Sequence, residues 1–137
     1  MGNTEFFDST NYEFNKGCKR GIYLIHGFTS STYELLDLAK FLSENGFYVK
    51  LDNLPGHGTT IEDCNNTKYT EWIEHVEGGV AEVASECHEV HVIGISMGAV
   101  LGLHLATLFP LTSIVEAAVV FQFKNQFNVR VLVPLLS

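Results

Sequence analysis

The sequence predicts a single α/β domain over residues 1–137, built on a mostly parallel sheet of about five strands with helices on both faces. Two observations support this fold class. Short apolar segments of the kind that become buried parallel strands alternate along the chain with segments of helical periodicity. Each of these apolar segments also leads through a loop into the next helical segment, an order that is typical of parallel sheets.

The first strand–helix unit occupies residues 20–46. Residues 20–26 (RGIYLIH) form a short apolar segment, and we predict a buried strand there. Residues 31–34 (STYE) have the form of a capping box, in which a serine and a glutamate side chain each bond a backbone N–H at a helix start. Apolar residues follow at helical spacing, namely Leu35, Leu38, Ala39 and Leu42. Gly46 is expected to end this helix in the left-handed conformation.

The second unit occupies residues 47–86. We predict a strand over 47–52 (FYVKLD), a long polar loop over 53–68 and a helix near 70–86. This helix has apolar side chains at helical spacing, at Trp72, Val76, Val80 and Val83. Before the first unit, residues 4–17 are expected to add a short antiparallel strand at one edge of the sheet.

The third unit completes the predicted sheet. A strand is predicted over residues 90–95 and a helix over 97–109, which Pro110 ends because proline cannot continue a helix. Residues 113–121 (SIVEAAVVF) are predicted to form the last strand. The resulting βαβαβαβ order implies a parallel sheet with helices on both faces.

The charge balance restricts the partners that the protein can have. The formal net charge is −8, from 16 acidic and 8 basic residues. This balance argues against nucleic acid and against anionic membrane surfaces as partners, because both repel a negatively charged protein. No apolar segment approaches the ~20 residues that a membrane-spanning helix needs, so no membrane insertion is expected.

The cysteines and the N-terminal residues favour a cytoplasmic protein. The three cysteines (Cys18, Cys64 and Cys87) are odd in number and widely spaced, which gives no sign of a disulfide framework or a CxxC site. Residues 1–17 lack the basic and apolar regions of a secretory signal. We therefore expect three reduced thiols and a cytoplasmic location.

Three loops rich in glycine and histidine follow the predicted strands. They are residues 26–30 (HGFTS), 54–58 (LPGHG) and 94–98 (GISMG). The carboxyl ends of parallel strands meet at one edge of a sheet, and ligands bind outside that edge in open α/β folds. The three loops are therefore the predicted functional site.

The third loop predicts a nucleophilic serine. Ser96 lies in a sharp strand-to-helix turn with a glycine two residues away on either side, and the turn needs those glycines because it leaves no space for Cβ atoms. The turn also places Ser96 at a helix N-terminus, where free N–H groups and the helix dipole favour developing negative charge. Gly27 is expected to let the first loop turn its amides toward Ser96. The N–H groups of Phe28 and Met97 are then the predicted oxyanion hole.

These three loops resemble a known family. LIHGFTSS, NLPGHGTT and VIGISMGAV, in this order and spacing, resemble the motifs of the α/β-hydrolase superfamily, and most of all its carboxylesterase and monoacylglycerol-lipase group. The YTEWIEHVE segment is similar to the one that follows GHG in those esterases. The resemblance covers residues 20–125 and implies the same nucleophile, Ser96, and the same two oxyanion-hole amides. It also implies that residues 121–128 (FQFKNQFN) begin the chain path toward a lid.

The sequence departs from the family after the nucleophile. The family order is serine, then an acid, then histidine. After Ser96 this chain has one acid, Glu116, and one histidine, His104, in the reverse order. His104 lies about 12 Å of helix rise from Ser96, and Glu116 falls inside a predicted strand. We therefore expect an incomplete α/β-hydrolase fold, truncated or minimal, without the usual base.

Three explanations of this departure stay open. In the first, the chain is catalytic with a substitute base: His26 or His57 on the same loops, or a histidine from a second copy. The candidate orienting acids are Asp37, Asp52 and Asp63. In the second, the chain is an inert truncated fragment. In the third, the scaffold is a non-enzymatic module that binds a partner or a small acyl ligand.

The function that the sequence predicts is that of a serine carboxylic-ester hydrolase acting on small esters through an acyl-enzyme on Ser96. An oxyanion hole and binding alone leave ~10³–10⁴-fold catalysis over water, so slow hydrolysis is expected even without a complete triad. No metal or organic cofactor is implied. The last strands of the family, which bring the acid and the histidine, are expected to be absent here. Their absence would expose apolar sheet edge and helix faces, which predicts a homo-oligomer.

Overall fold

The computed structural model describes residues 8–119, which form a five-stranded sheet with helices packed on both faces. The strands are, in chain order, β1 (Tyr12–Phe14), β2 (Arg20–Ile25), β3 (Tyr48–Leu51), β4 (Glu89–Ile95) and β5 (Ser113–Ala117). In the sheet their order is β1-β3-β2-β4-β5. The pairs β3–β2, β2–β4 and β4–β5 are parallel. The predicted fold class is confirmed.

The edge strand predicted within residues 4–17 is present. β1 pairs antiparallel with β3, with Tyr12 opposite Leu51 and Phe14 opposite Val49. At the other edge, β5 pairs with β4 so that Glu116 lies opposite Gly94. The strand predicted over 113–121 ends earlier, at Ala117, and residues 120–128, which include the predicted start of a lid, lie outside the described residues.

Four α-helices connect the strands. They are α1 (Leu36–Glu44), α2 (Ile61–Asn65), α3 (Tyr69–Glu86) and α4 (Met97–Leu108). The predicted polar loop over 53–68 contains α2, which the sequence analysis missed. Its N-cap is Thr60, whose hydroxyl accepts the N–H of Asp63 at 3.1 Å. Five residues are too few to show a helical period, so only the cap could have indicated this helix.

Of the predicted capping box at residues 31–34, the serine cap forms and the glutamate bond does not. The Ser31 hydroxyl accepts the N–H of Tyr33 at 3.3 Å, but it begins one turn of 3-10 helix, Thr32–Leu35, that leads into α1. The Glu34 carboxylate does not return to Ser31. It accepts the N–H of Gly27 at 3.1 Å instead, and Gly27 lies in the loop that follows β2. Residue Glu34 therefore ties the helix start to the loop after β2.

The end of α1 matches the sequence prediction. Gly46 has a φ of +88°, and its N–H donates to the carbonyl of Ser43 at 3.3 Å. The next amide, of Phe47, donates to the carbonyl of Leu42 at 3.4 Å. This pair of bonds is the Schellman arrangement that a left-handed glycine permits.

Alternating side chains of the sheet fill two apolar layers. Ile22 and Leu24 of β2 pack with Val49 and Leu51 against α1 and the turn before it. Tyr23 and Ile25 point to the opposite face, where the layer also contains Trp72, Val76, Val80 and Val83 of α3 and Val100, Leu101 and Leu105 of α4. Both faces of β2 are thus buried, as expected for a central parallel strand. Over residues 8–119, none of the helices is both long and apolar enough to cross a bilayer.

Candidate active site

The carboxyl ends of β2, β3 and β4 lie side by side, which brings the three predicted loops together. The rings of His26 and His57, from the first and second loops, lie 5.1 Å apart between centroids. A Cβ built on Gly27 of the first loop would lie 3.5 Å from the Cβ of Ser96 in the third. The topology therefore assembles one site from residues far apart in the sequence.

Ser96 occupies a strained turn between β4 and α4. Its φ and ψ are 56° and −116°, in a region that residues with a side chain rarely adopt. Its N–H donates to the carbonyl of Ala117 at 2.9 Å, and its carbonyl accepts the N–H of Ala99 at 3.0 Å. These bonds hold the turn, and the Ser96 hydroxyl has no hydrogen-bond partner among the residues described.

The two glycines around Ser96 are required by close backbone contacts. A Cβ on Gly94 would lie under 3.0 Å from the carbonyl of Gly98, and a Cβ on Gly98 would lie equally close to the carbonyl of Ile25. Cβ atoms essentially never approach other atoms so closely. Gly27 is different, because a Cβ there would meet only ordinary van der Waals contacts, and its φ is not in the left-handed region. The first loop does not need its glycine for space.

The amides of Phe28 and Met97 are free of acceptors within residues 8–119. Met97 is the first residue of α4, where backbone N–H groups have no intrahelical partner. Gly27 is not such a donor, because its N–H is already bonded to Glu34. The Phe28 ring is 47% exposed and lies edge-on to Trp72 and His57, with centroids 5.7 and 5.8 Å away.

His26 is completely buried and bonds backbone groups through both ring nitrogens. Its Nε2 accepts the N–H of Leu54 at 3.0 Å. Its Nδ1 therefore carries the proton and donates to the carbonyl of Gly27 at 2.7 Å. Burial lowers the pKa of His26 to about 4, so the ring is neutral at pH 7. In this arrangement His26 holds the first loop against the second.

His57 makes an equivalent pair of contacts from the second loop. Its Nε2 accepts the N–H of Thr29 at 2.9 Å, and its Nδ1 donates to the carbonyl of Pro55 at 3.1 Å. Burial lowers the pKa of His57 below its usual range. Among the described residues, neither histidine has a ring nitrogen free to accept the Ser96 proton.

The candidate orienting acids do not contact these histidines within residues 8–119. Asp52 lies 3.3 Å from the ammonium of Lys50 and 3.7 Å from Nε2 of His75. Asp63 accepts the hydroxyl of Thr59 at 2.6 Å, in the first turn of α2. Asp37 lies in the first turn of α1. None of the three completes a triad with Ser96 in the part of the chain described.

The one histidine and the one acid that follow Ser96 in the sequence bond or pack elsewhere. Nε2 of His104 lies 2.8 Å from the carboxylate of Glu77, which joins α4 to α3. The Glu116 carboxylate is buried between β5 and α4 beside Gly102, with no hydrogen-bond partner for either oxygen among the residues described. Burial raises the pKa of Glu116 to about 7.

A cavity of about 300 Å³ lies between the first two loops. Thr29 and Ser30 form one wall, residues 56–61 form the other, and the thiol of Cys64 lies 3.6 Å from Nε2 of His57. Ser96 does not line this cavity. The nucleophile candidate therefore lies at the loop edge and outside the cavity.

Glu34 is the residue at this site that the sequence analysis did not assign to it. The same Cβ position built on Gly27 lies 3.5 Å from Ser96 Cβ and 3.6 Å from Oε1 of Glu34, so the two side chains flank one point. The only sequence signal was the capping-box pattern, which favours a different partner for the carboxylate.

A mostly parallel sheet with a strained strand-to-helix turn at a serine is the architecture of an α/β hydrolase. The chain belongs to the alpha/beta hydrolase family, whose sequence profile matches residues 22–135. It is 38% identical over 90 residues to the thermostable monoacylglycerol lipase of Bacillus sp. (strain H-257), a match that covers 66% of this chain and 36% of that protein. It is 30% identical over 112 residues to the carboxylesterase of Bacillus subtilis (strain 168), covering 81% of this chain and 46% of that one.

The chain spans less than half the length of both relatives. Among solved structures, one from the metagenome-derived lipolytic enzymes LipS and LipT matches with a TM-score of 0.80 at 24% identity. That match covers 85% of this chain and 48% of the other. At this identity the likeness supports the fold alone.

Proposed function

We propose that the chain is a serine carboxylic-ester hydrolase that acts on small esters through an acyl-enzyme on Ser96. The observation that carries this proposal is the position of Ser96, at a φ of 56° on the N-terminus of α4 with its hydroxyl unbonded in the described structure. The hydroxyl oxygen attacks the ester carbonyl and the alcohol leaves. Water then hydrolyses the acyl-serine to release the acid.

In this proposal the Phe28 and Met97 amides stabilise the oxyanion. Both N–H groups lack acceptors among the described residues, and Met97 adds the positive end of the α4 dipole. Loss of one such donor typically costs about 3–4 kcal/mol of transition-state stabilisation. The free state of both amides supports this role, because a bonded amide would first have to break its bond.

The same proposal assigns His26 and His57 to holding the loops. Each would have to release a backbone N–H, that of Leu54 or Thr29, before it could accept the Ser96 proton. Without a histidine bonded to the Ser96 hydroxyl, we expect slow hydrolysis, with a rate only ~10³–10⁴-fold above that of the reaction in water. The alternative, in which one of these histidines acts as the substitute base, is tested below.

Two further properties are proposed with this activity. Within residues 8–119 strand β5 is an edge strand and Val115 is 53% exposed. Unpaired strand edges favour association, so we propose a homo-oligomer formed through this edge. The three cysteines are free thiols, which supports a reducing, cytoplasmic location.

The monoacylglycerol lipase and carboxylesterase relatives support esters as the substrate class, without naming the alcohol.

The test uses the purified chain with a chromogenic short-chain ester and a fluorophosphonate probe, followed by intact mass. We expect turnover and a single adduct, both lost in Ser96→Ala and both retained in Ser85→Ala. Ser85 is a suitable control because its exposed hydroxyl bonds Glu82 on α3, away from the site. No adduct and no turnover in a folded wild-type chain would favour an inert fragment. Binding of an acyl ligand that survives Ser96→Ala would favour a binding module.

The base is tested with His26→Ala and His57→Ala, each checked for folding by circular dichroism. If the histidines only hold the loops, each variant loses thermal stability, and the pH dependence of the remaining turnover keeps its shape. Loss of a titration step from the pH profile of turnover, in one folded variant only, would instead identify that histidine as the base.

A further inference from the structure

We propose that Glu34 selects for esters that carry a positive charge beside the scissile bond and against esters that carry a negative one. The inference rests on the proposed hydrolase function, because it concerns the substrates of the same site. Its basis is the placement of a fixed, uncompensated carboxylate next to Ser96.

The carboxylate is held in place by the backbone of the first loop. Oε1 of Glu34 accepts the N–H of Gly27 at 3.1 Å, immediately before the Phe28 amide. The position that a Cβ on Gly27 would occupy lies 3.6 Å from this oxygen and 3.5 Å from Cβ of Ser96. Oε1 of Glu34 is therefore at most about 7 Å from Cβ of Ser96, close enough to act on the charge of an ester bound there.

No positive side chain neutralises this carboxylate within residues 8–119. None of the ion pairs there includes Glu34, whereas Glu13, Glu77, Glu82, Glu86 and Glu89 all have a basic partner. The histidines of the site do not compensate for it either, because burial keeps His26 and His57 neutral at pH 7. Glu34 is also exposed, so a substrate group can reach it.

The helix dipole of α4 does not cancel the effect. It is equivalent to about half a charge, and the developing oxyanion uses it at the Met97 amide. In this proposal the substituents of the ester do not use the dipole, and the Glu34 carboxylate acts on their charge. A unit charge several ångströms away at an exposed position changes rates by about 3- to 30-fold.

The experiment compares three phenyl acetates of similar shape, with a trimethylammonio, a tert-butyl or a carboxylate group at the meta position. kcat/KM is measured for the wild-type chain, for Glu34→Gln and for Glu44→Gln, at low salt and at 0.5 M NaCl. Glutamine keeps an oxygen for the Gly27 N–H, so the loop stays bonded while the charge is lost. Glu44 is the matched control, since it makes the same change in net charge at the far end of α1.

We expect Glu34→Gln to lower kcat/KM for the cationic ester about 3- to 30-fold relative to the tert-butyl ester, and to raise it for the anionic ester. Salt should reduce the difference, because the carboxylate is exposed. Glu44→Gln should leave the ratios unchanged. A uniform change for all three esters, or none, would overturn the selectivity and leave the hydrolase standing. Absence of Ser96-dependent turnover with every ester would overturn both.

Discussion

Gly98, in the first turn of α4, lies directly against the carbonyl oxygen of Ile25 at the end of β2. This contact sets the distance between the helix that begins after Ser96 and the strand that leads to Phe28. Of the two proposed oxyanion donors, Met97 is the first residue of α4 and Phe28 lies in the loop that follows β2. The geometry of the site therefore depends on a residue that has no side chain.

Gly98→Ala should impair the site more than the fold. The added methyl group would lie under 3.0 Å from the Ile25 carbonyl, a backbone atom that cannot turn aside. We expect a loss of about 1–3 kcal/mol in the free energy of unfolding, as for other overpacked positions. Fluorophosphonate labelling of Ser96 should slow at least tenfold in the folded variant. Labelling at the wild-type rate would contradict this account of the contact.

Two adjacent glycines of α3 should respond in opposite ways to alanine. A Cβ on Gly78 meets nothing within 4 Å, and the position is exposed, so Gly78→Ala should stabilise the helix by about 0.5–1 kcal/mol. A Cβ on Gly79 would lie 2.5 Å from the hydroxyl and Cζ of the buried Tyr23, so Gly79→Ala should destabilise by about 1–3 kcal/mol. Urea unfolding of both variants measures the contrast, and equal shifts would show that α3 does not pack on Tyr23 as described.

Glu116 should make the folded state less stable as the pH rises. Burial raises its pKa from 4.5 to about 7, so the folded chain binds this proton more tightly than the unfolded chain does. The stability linked to this group is present below pH 4.5 and is lost as the pH rises through 7. Glu116→Gln should therefore gain stability relative to wild type between pH 5 and pH 8, reaching about 1–2 kcal/mol at pH 8. Urea unfolding at intervals across this range measures the difference, which a pH-independent offset would contradict.

His26 should remain neutral over the range in which histidines usually titrate. Its pKa is lowered from 6.5 to about 4 by burial, and its Nε2 accepts the Leu54 N–H. The linked stability is present above pH 6.5 and is lost as the pH falls through 4, because only the unfolded chain binds the proton readily. Nuclear magnetic resonance of the ring nitrogens should report the Nδ1–H tautomer from pH 8 to pH 5. A midpoint near 6.5 would show that burial does not hold the ring neutral, and the Nε2–H tautomer would leave Nδ1 as the proton acceptor. Either result would restore His26 as a candidate base.

Most of the elements were predictable because their signals are local. The apolar segment at residues 20–26 and the helical spacing from Trp72 to Val83 are each properties of a few neighbouring residues. The left-handed Gly46 was equally predictable, since glycine is the residue that tolerates a positive φ. Helix α2 was missed because five residues are shorter than the window in which periodicity is visible.

The sequence by itself determined the order of strands and helices, the edge at which the loops meet and the strained turn around Ser96. These follow from hydrophobic periodicity, turn chemistry and the geometry of parallel sheets. Only the tertiary structure decided which groups the polar side chains bond. His26 and His57 each bond an amide 28 positions away in the chain, and Glu34 bonds Gly27 rather than its own helix start. These partners lie on different loops and elements, which the packing of the whole fold brings together, and no local pattern specifies them.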